Sequence, residues 1–189
     1  MMSIITNSYT NTVSSFFSTK FQKNIEEMLV SPTPNWVIVL GFVSGGVIRG
    51  LSVGLLVSLV SLIFIRLPLH SFVYTALFAF LTSFVFSLAG MINGIFAQKF
   101  DDISIIPTFV ITPLTYLGGV FYSISLLPDF WQMISKANPI IYMIDGFRFG
   151  FLGIADMRVT TGLGMLVIFA VALFSINLYL LKKGTGIRT

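Results

Sequence analysis

Cysteine is absent from this chain of 189 residues, and charged residues are scarce. Without a thiol the chain can form neither a disulfide bond nor a thiolate metal site. Asp, Glu, Lys and Arg together make up 10% of the residues, whereas a soluble globular domain carries about 25%. A chain so poor in charge is typical of a protein that is surrounded by lipid rather than by water.

The sequence also lacks the signatures of several enzymes and of nucleic-acid binding. It has no G-x-x-x-x-G-K-[ST] loop, so any ATP would have to be hydrolysed by another chain. Its one histidine, His70, lies in a predicted turn beside Pro68, which leaves no credible Ser-His-Asp set. The net charge is +4, but the basic residues are scattered, which argues against nucleic acid as a partner. Asp101 and Asp102 are predicted to cap a helix rather than to bind a metal, so no cofactor or metal is expected on this chain.

Long uncharged runs are what the chain has in abundance. Hydrophobic residues make up 56% of the sequence, and the mean hydropathy is +0.95. A helix of about 20 apolar residues crosses a bilayer. We therefore predict an all-α membrane protein with about four transmembrane helices in a single domain, residues 1–189. The predicted spans are residues 38–65, 71–97, 103–127 and 159–181.

Residues 3–30 and 128–156 are predicted to be helical without spanning the membrane. In residues 3–30, apolar side chains recur at helical spacing among polar ones, which indicates an amphipathic helix. Residues 128–156 are predicted to form a re-entrant or interfacial hairpin, because residues 139–155 are short for a span; a fifth span there is the alternative. With four spans, Lys and Arg are more frequent on the side of the N-terminus, which predicts that both termini are cytoplasmic.

The first predicted span carries three regularly spaced glycines and an arginine. Gly46, Gly50 and Gly54 recur at every fourth residue, and small residues at that spacing let two helices approach closely. They indicate either packing within one bundle or a seam between two copies of the chain. Arg49 beside them is costly inside a bilayer. It is either a pathway or gate residue, or a side chain that extends to the cytoplasmic headgroups.

The chain resembles the C-terminal half of ABC-2 type transport permeases in FDDISIIPTFVITPLTYLGGVFYSISLLPDFW (100–131) and in ANPIIYMIDGFRFGFLG (137–153). The resemblance extends over nearly the whole chain. It implies a permease of the bacterial inner membrane with six spans, of which this chain lacks the first two. It also implies a homodimer that exports a lipid, a glycan or a hydrophobic drug by alternating access. ATP and Mg²⁺ would be bound by a separate cytoplasmic ATPase subunit.

The same resemblance implies an ATPase contact near the N-terminus. In such permeases a cytoplasmic coupling helix docks into the ATPase subunit. The matching residues in this chain are Lys20, Phe21, Lys23, Glu26 and Glu27. From the residues alone, a membrane-surface helix without a partner fits these charges as well.

Asp145 and Arg148 are the pathway or gate candidates of the predicted hairpin. They lie three residues apart on one helix face and can form an ion pair. The resemblance assigns this hairpin to an external gate, while simple neutralisation at an interface is the alternative. For the chain as a whole, the alternative to an exporter subunit is a membrane anchoring or assembly protein, or a truncated remnant without transport activity.

Overall fold

The computed structural model describes residues 1–64, 69–120, 128, 130, 132, 138–184 and 186, apart from the side chains of Glu26 and Leu29. Over these ranges the chain is helical and contains no strand, which confirms the predicted all-α membrane class. The helices are α1 (Met2–Phe21), α2 (Asn24–Val30), α3 (Asn35–Phe64), α4 (Phe72–Phe96), α5 (Asp102–Ile106), a π-helical turn (Pro107–Ile111), α6 (Thr112–Leu117), α7 (Pro139–Leu152) and α8 (Val159–Lys183).

Helices α3, α4 and α8 are long and apolar enough to cross a membrane. With 30 residues, α3 is about 45 Å long at 1.5 Å per residue, which exceeds the ~30 Å hydrocarbon core. Most of its surface is exposed, whereas α4 lies at the centre of the bundle and buries more than half of its most apolar stretch. These helices coincide with the predicted spans 38–65, 71–97 and 159–181.

Helix α1 lies lengthwise between α3 and α4, not apart from the spans. Ile5, Tyr9 and Val13 are fully buried in the main apolar cluster, together with residues of α4. Ser8 and Thr12 are buried on the side of α3, where their hydroxyls donate to the carbonyls of the residues four positions earlier. With 20 residues, α1 is about 30 Å long. The amphipathic pattern of residues 3–30 was therefore produced by a membrane-depth helix that buries one face against protein.

The third predicted span, residues 103–127, is interrupted in its described part. The apolar helix runs from α5 through the π-helical turn into α6 and ends at Gly118 and Gly119, where Gly119 has φ +76°. Pro113 has no N–H to donate, so one backbone hydrogen bond of the helix is lost there. The Pro107 carbonyl accepts from Thr112 N across the π-helical turn and from Thr112 Oγ1 at 2.8 Å. Such turns are a recognised way of accommodating a lost helical hydrogen bond. Residues 121–127 of this span lie outside the described residues.

Helix α7 belongs to the predicted hairpin 128–156, of which residues 129, 131 and 133–137 lie outside the described part of the chain. Asn138 caps it by accepting a hydrogen bond from Ile140 N at 3.0 Å, and Pro139 occupies the first turn. The helix ends at Gly153 in the left-handed region. Its backbone meets the start of α4, because His70 N donates to the Phe151 carbonyl at 3.1 Å. With 14 residues it is about 21 Å long, which is too short to cross a bilayer.

The two ends of the bundle differ in charge. Lys20, in the last turn of α1, donates from Nζ to the carbonyls of Ile95 and Ala97 at 2.7 and 2.9 Å. Gly186 also lies against Ile95. We call this end, which holds the residues Lys20, Lys23, Lys99, Lys182 and Lys183, the basic end.

Met1 lies at the opposite end of the bundle from the C-terminal residues. It lines a small cavity with Ser58 and Phe147, far along α3 from the basic end. This arrangement favours termini on opposite sides of a membrane, and the prediction that both termini are cytoplasmic stays a prediction. The physical reason is that α1, predicted to lie at the membrane surface, packs lengthwise within the bundle.

Candidate functional site

A polar groove runs along the outer face of α1 at the depth of the spans. Its volume is about 560 Å³. Seven of its lining residues come from α1 and one from α3, and all eight are polar. They are Thr6, Asn7, Thr10, Asn11, Ser14, Ser15, Ser18 and Arg49. A polar surface at this depth needs water, a ligand or another protein surface against it, because hydrocarbon cannot satisfy its hydrogen bonds.

Arg49 is the charged residue of this groove. It lies at the middle of α3, is exposed, and donates from Nη1 to Asn11 Oδ1 at 3.2 Å. Asn11 lies level with Gly45, so the guanidinium bends one turn toward the basic end but stays within the groove. Among the described carboxylates none lies within ion-pair distance of Arg49. Of the two interpretations of Arg49, this placement favours a pathway residue over one that reaches the headgroups.

The glycine ridge of α3 faces α1 of the same chain. A Cβ atom at Gly46 would collide with Thr12 Oγ1 and lie 2.8 Å from the Ser8 carbonyl oxygen. One at Gly50 would collide with Ser8 Oγ, and one at Gly54 would lie 2.6 Å from the Ile4 side chain. The geometry is therefore that of packing within one bundle. Of the two interpretations of these glycines, this contact with α1 favours packing within one bundle.

The residues predicted for the ATPase contact divide into two groups. Lys20 is directed into the bundle, where its ammonium is bound by the C-terminal carbonyls of α4. Phe21 is exposed and contacts the Phe100 ring, with centroids 5.4 Å apart. Lys23, with φ +62°, forms the turn between α1 and α2, and Glu27 is exposed on α2. The side chain of Glu26 lies outside the described part of the chain.

Ile25 lies on the apolar face that helical spacing predicted for residues 3–30, but it was not among the residues assigned to the ATPase contact. It is 1% exposed on an otherwise exposed helix. Its side chain belongs to the apolar cluster that joins the basic ends of the spans, including Val39 of α3, Ile95 of α4 and Leu181 of α8. Ile25 thus connects the short surface helix to three spans at once. The sequence signal was a single isoleucine among charged residues.

A charged cluster joins three segments at the end opposite the basic end. Asp145 is buried, and its carboxylate accepts hydrogen bonds from the backbone amides of Asp156 at 2.9 Å and Met157 at 2.7 Å. Arg148 lies 4.0 Å from Asp145 and 3.3 Å from the Asp156 carboxylate. It also donates to the Gly119 carbonyl at 2.7 Å. We call Asp145, Arg148 and Asp156 the outer clamp.

The outer clamp connects α7, the loop before α8 and the end of the interrupted span. The sequence predicted the pairing of Asp145 with Arg148 but missed Asp156 and Gly119, since contacts 8 and 29 residues away from Arg148 leave no periodic signal. The polar face of α1 was also missed as a site, although Asn7, Asn11, Ser14 and Ser18 recur at helical spacing. Within the described ranges no group of His, Cys, Asp or Glu could hold a metal ion.

Comparison with known proteins gives the family. The family described as ABC-2 type transporter matches residues 1–152. The inner membrane transport permease YadH of Escherichia coli K12 is 59% identical over 189 residues, which is 100% of this chain and 74% of that protein. Nodulation protein J of Rhizobium leguminosarum bv. viciae is 30% identical over 103 residues, which is 54% of this chain and 40% of that protein. No solved structure matches the chain.

The family match covers α1 to α7, and the likeness to the YadH permease continues through α8 to the last residue. Three membrane-length apolar helices agree with the inner-membrane location in that relative's name. The chain therefore belongs to the ABC-2 type transporter family and is an inner-membrane transport permease subunit.

Proposed function

We propose that this chain is the permease of an ATP-driven exporter, and that its substrate moves along the polar groove of α1. The observation that carries the proposal is the groove itself. A row of hydroxyl and amide side chains with one arginine at the depth of the spans is costly in lipid. A passage for a polar group gives that row a function.

The basic end is proposed to face the cytoplasm. Five lysines gather there: Lys20, Lys23, Lys99, Lys182 and Lys183. Among the described residues the other end carries two arginines, Arg148 and Arg158, and Arg148 is neutralised by carboxylates. Cytoplasmic segments of membrane proteins carry the excess of Lys and Arg. In this orientation α2 faces the cytoplasm and the outer clamp faces the other side.

Helix α2 is proposed to receive the force of ATP binding from a separate ATPase subunit, which would hold ATP and Mg²⁺. Glu27 offers a charge to a polar partner, while the buried Ile25 ties α2 to α3, α4 and α8. A displacement of α2 would therefore move the basic ends of three spans together. The outer clamp would then hold or release the opposite end, which gives alternating access to the groove. A second permease copy facing the groove would complete the passage.

The test is capture of an ATPase subunit and control of its ATP hydrolysis. The tagged chain is purified from its native membranes, and an ABC ATPase identified in the preparation is then co-expressed with variants. Glu26→Lys combined with Glu27→Lys should reduce ATPase recovery without loss of membrane insertion, because reversed charges invert local complementarity. Arg158→Glu, an exposed reversal at the opposite end, is the matched control. Equal recovery from all three proteins would contradict the α2 contact.

A further inference from the structure

We infer that a cleft between α3 and α4 holds one acyl chain of a membrane phospholipid as a resident part of the bundle. The cleft has a volume of about 600 Å³ and is lined by residues of α3, α4 and α7 together with Ile4 of α1. It shares no lining residue with the polar groove of α1. The inference does not rest on the proposed function, because the acyl chain is a fixed component and not a transported molecule.

The length and depth of the cleft match one leaflet of a bilayer. Its lining on α3 extends from Leu51 to Leu62, which is about 16 Å at 1.5 Å per residue. Half of the ~30 Å hydrocarbon core is about 15 Å. Leu51 lies near the middle of α3, and Leu62 lies near the end of α3 that is far from the basic end. The cleft therefore covers the leaflet opposite the basic end, from the middle of the bilayer outward.

The lining of the cleft has the chemistry of a site for an alkyl chain. Among the described residues that line it, two are polar, Ser58 and Thr75. Ser58 Oγ donates to the Gly54 carbonyl at 2.9 Å, and Thr75 Oγ1 donates to the Ser71 carbonyl at 3.0 Å. Because both hydroxyls donate within their own helices, the occupant needs no hydrogen-bonding group. Water needs several polar partners to be held in a cavity, whereas an alkyl chain makes apolar contacts along its whole length.

A gap of this size between two spans weakens the bundle unless an occupant fills it. Helices in lipid associate mainly through van der Waals packing and hydrogen bonds, and the walls of an empty cleft lose their packing contacts. Small residues contribute to the lining from both helices, namely Gly54 from α3 and Ala76 and Ala79 from α4. They leave space that larger side chains would have filled, and a flexible alkyl chain adapts to such a space.

The acyl chain comes from a bilayer phospholipid because the cleft continues the lipid-facing surface of the spans. Leu55 of α3 and Phe72 of α4 line it and are exposed, and both belong to helices of membrane-spanning length. Phe147 and Phe151 of α7 also line the cleft, and their ring centroids lie 4.9 Å apart. The acyl chain thus contacts α3, α4 and α7 together, and it supports the helix that carries Arg148 of the outer clamp.

The experiment counts the phospholipid that stays bound to the purified full chain after detergent exchange. The probe is dioleoyl phosphatidylcholine, counted by native mass spectrometry. Ala76→Leu and Ser58→Leu each place a larger side chain in the cleft, the first from α4 and the second from α3. Ala172→Leu and Ser52→Leu are the matched controls, because both residues are exposed on spans and lie outside the lining of the cleft.

We expect wild type and both controls to retain one dioleoyl phosphatidylcholine per chain, and the two cleft-filling variants to lose it. Dihexanoyl phosphatidylcholine has the same headgroup, but its chains are too short to extend along the cleft, so wild type should not retain it. Wild type stripped of lipid should melt at a lower temperature, and added dioleoyl phosphatidylcholine should restore the melting temperature. The cleft-filling variants should melt at the same temperature with and without that lipid.

Four results would overturn the inference. Wild type could retain no phospholipid, the cleft-filling variants could retain as much as the controls, or the dihexanoyl lipid could be retained equally, which would assign the binding to the headgroup. The fourth is a lipid-free dimer that the cleft-filling variants dissociate and the controls do not, which would make a second copy of the chain the occupant. Circular dichroism identifies any variant that fails to fold. The comparison of long and short lipids on wild type needs no variant and decides the question in that case.

Discussion

Replacement of Gly46 by alanine tests whether α1 is packed against α3 as described. The added Cβ would collide with Thr12 Oγ1 and Ser87 Oγ and lie 2.8 Å from the Ser8 carbonyl oxygen. Because that oxygen belongs to a helix backbone, rotation of a side chain cannot relieve the contact, and α1 must shift. Overpacking of this kind costs about 1–3 kcal/mol.

Helix propensity acts in the opposite direction, since alanine is favoured over glycine by about 1 kcal/mol in a helix interior. Gly41→Ala is the matched control on the same helix, because nothing lies within 4 Å of a Cβ at that position. The two variants share the propensity gain, so their difference isolates the contact with α1. We expect Gly46→Ala to be less stable than Gly41→Ala by about 1–3 kcal/mol. Unfolding by SDS titration in mixed micelles, followed by circular dichroism, measures this difference. Equal stability of the two variants would show that α1 does not occupy the glycine ridge.

Three further predictions concern the ends of the bundle. Asp145→Asn should lower stability by about 1–3 kcal/mol, because two backbone amides and Arg148 lose their carboxylate; thermal melting beside the exposed control Asp101→Asn checks this. Lys20→Met should speed hydrogen exchange at the basic end of α4, because the carbonyls of Ile95 and Ala97 lose their ammonium donor. Unchanged exchange would refute the contact. Backbone hydrogen bonds from Gln98 and Lys99 hold the pKa of Asp102 below its ordinary value. Because this folded-state pKa is lowered, the carboxylate stabilises its turn above about pH 4. That contribution is lost as the pH falls through the lowered pKa. Hydrogen exchange of the Gln98 and Lys99 amides, corrected for the intrinsic exchange rate and compared between wild type and Asp102→Asn, measures this loss.

The lengths of the apolar runs predicted the membrane class and three of the helices. They could do so because the thickness of the bilayer fixes how long a spanning apolar run must be. The runs that became α3, α4 and α8 are long, uncharged and bounded by polar residues or turns. The same criterion failed for α1, whose Ser, Thr and Asn residues lower its hydropathy. A helix with one face on protein and the other along a groove needs no apolar surface all round. Its pattern was correctly periodic, but periodicity does not say whether the polar face meets water at the membrane surface or at membrane depth.

The glycine ridge and the outer clamp show a second limit of sequence reasoning. The spacing of Gly46, Gly50 and Gly54 predicted close approach of another helix, but the identity of that helix depends on topology. Because α1 was predicted to lie at the membrane surface, it was not considered as the helix that packs on the glycines of α3. In the outer clamp, the pairing of Asp145 with Arg148 was predictable because it lies within one helix. The carboxylate of Asp156 joins from another segment, and only the folded chain brings it there.

We propose that the groove of α1 opens alternately to the two sides of the membrane as an ATPase subunit binds ATP. Ser15→Cys in the otherwise cysteine-free chain allows a direct measurement in proteoliposomes of known orientation that contain the ATPase. A membrane-impermeant thiol reagent is applied from one side at a time, with and without a non-hydrolysable ATP analogue. We expect the side from which Ser15→Cys is labelled to change when the analogue binds. Labelling from the same side in both states, or from neither side in either state, would contradict it.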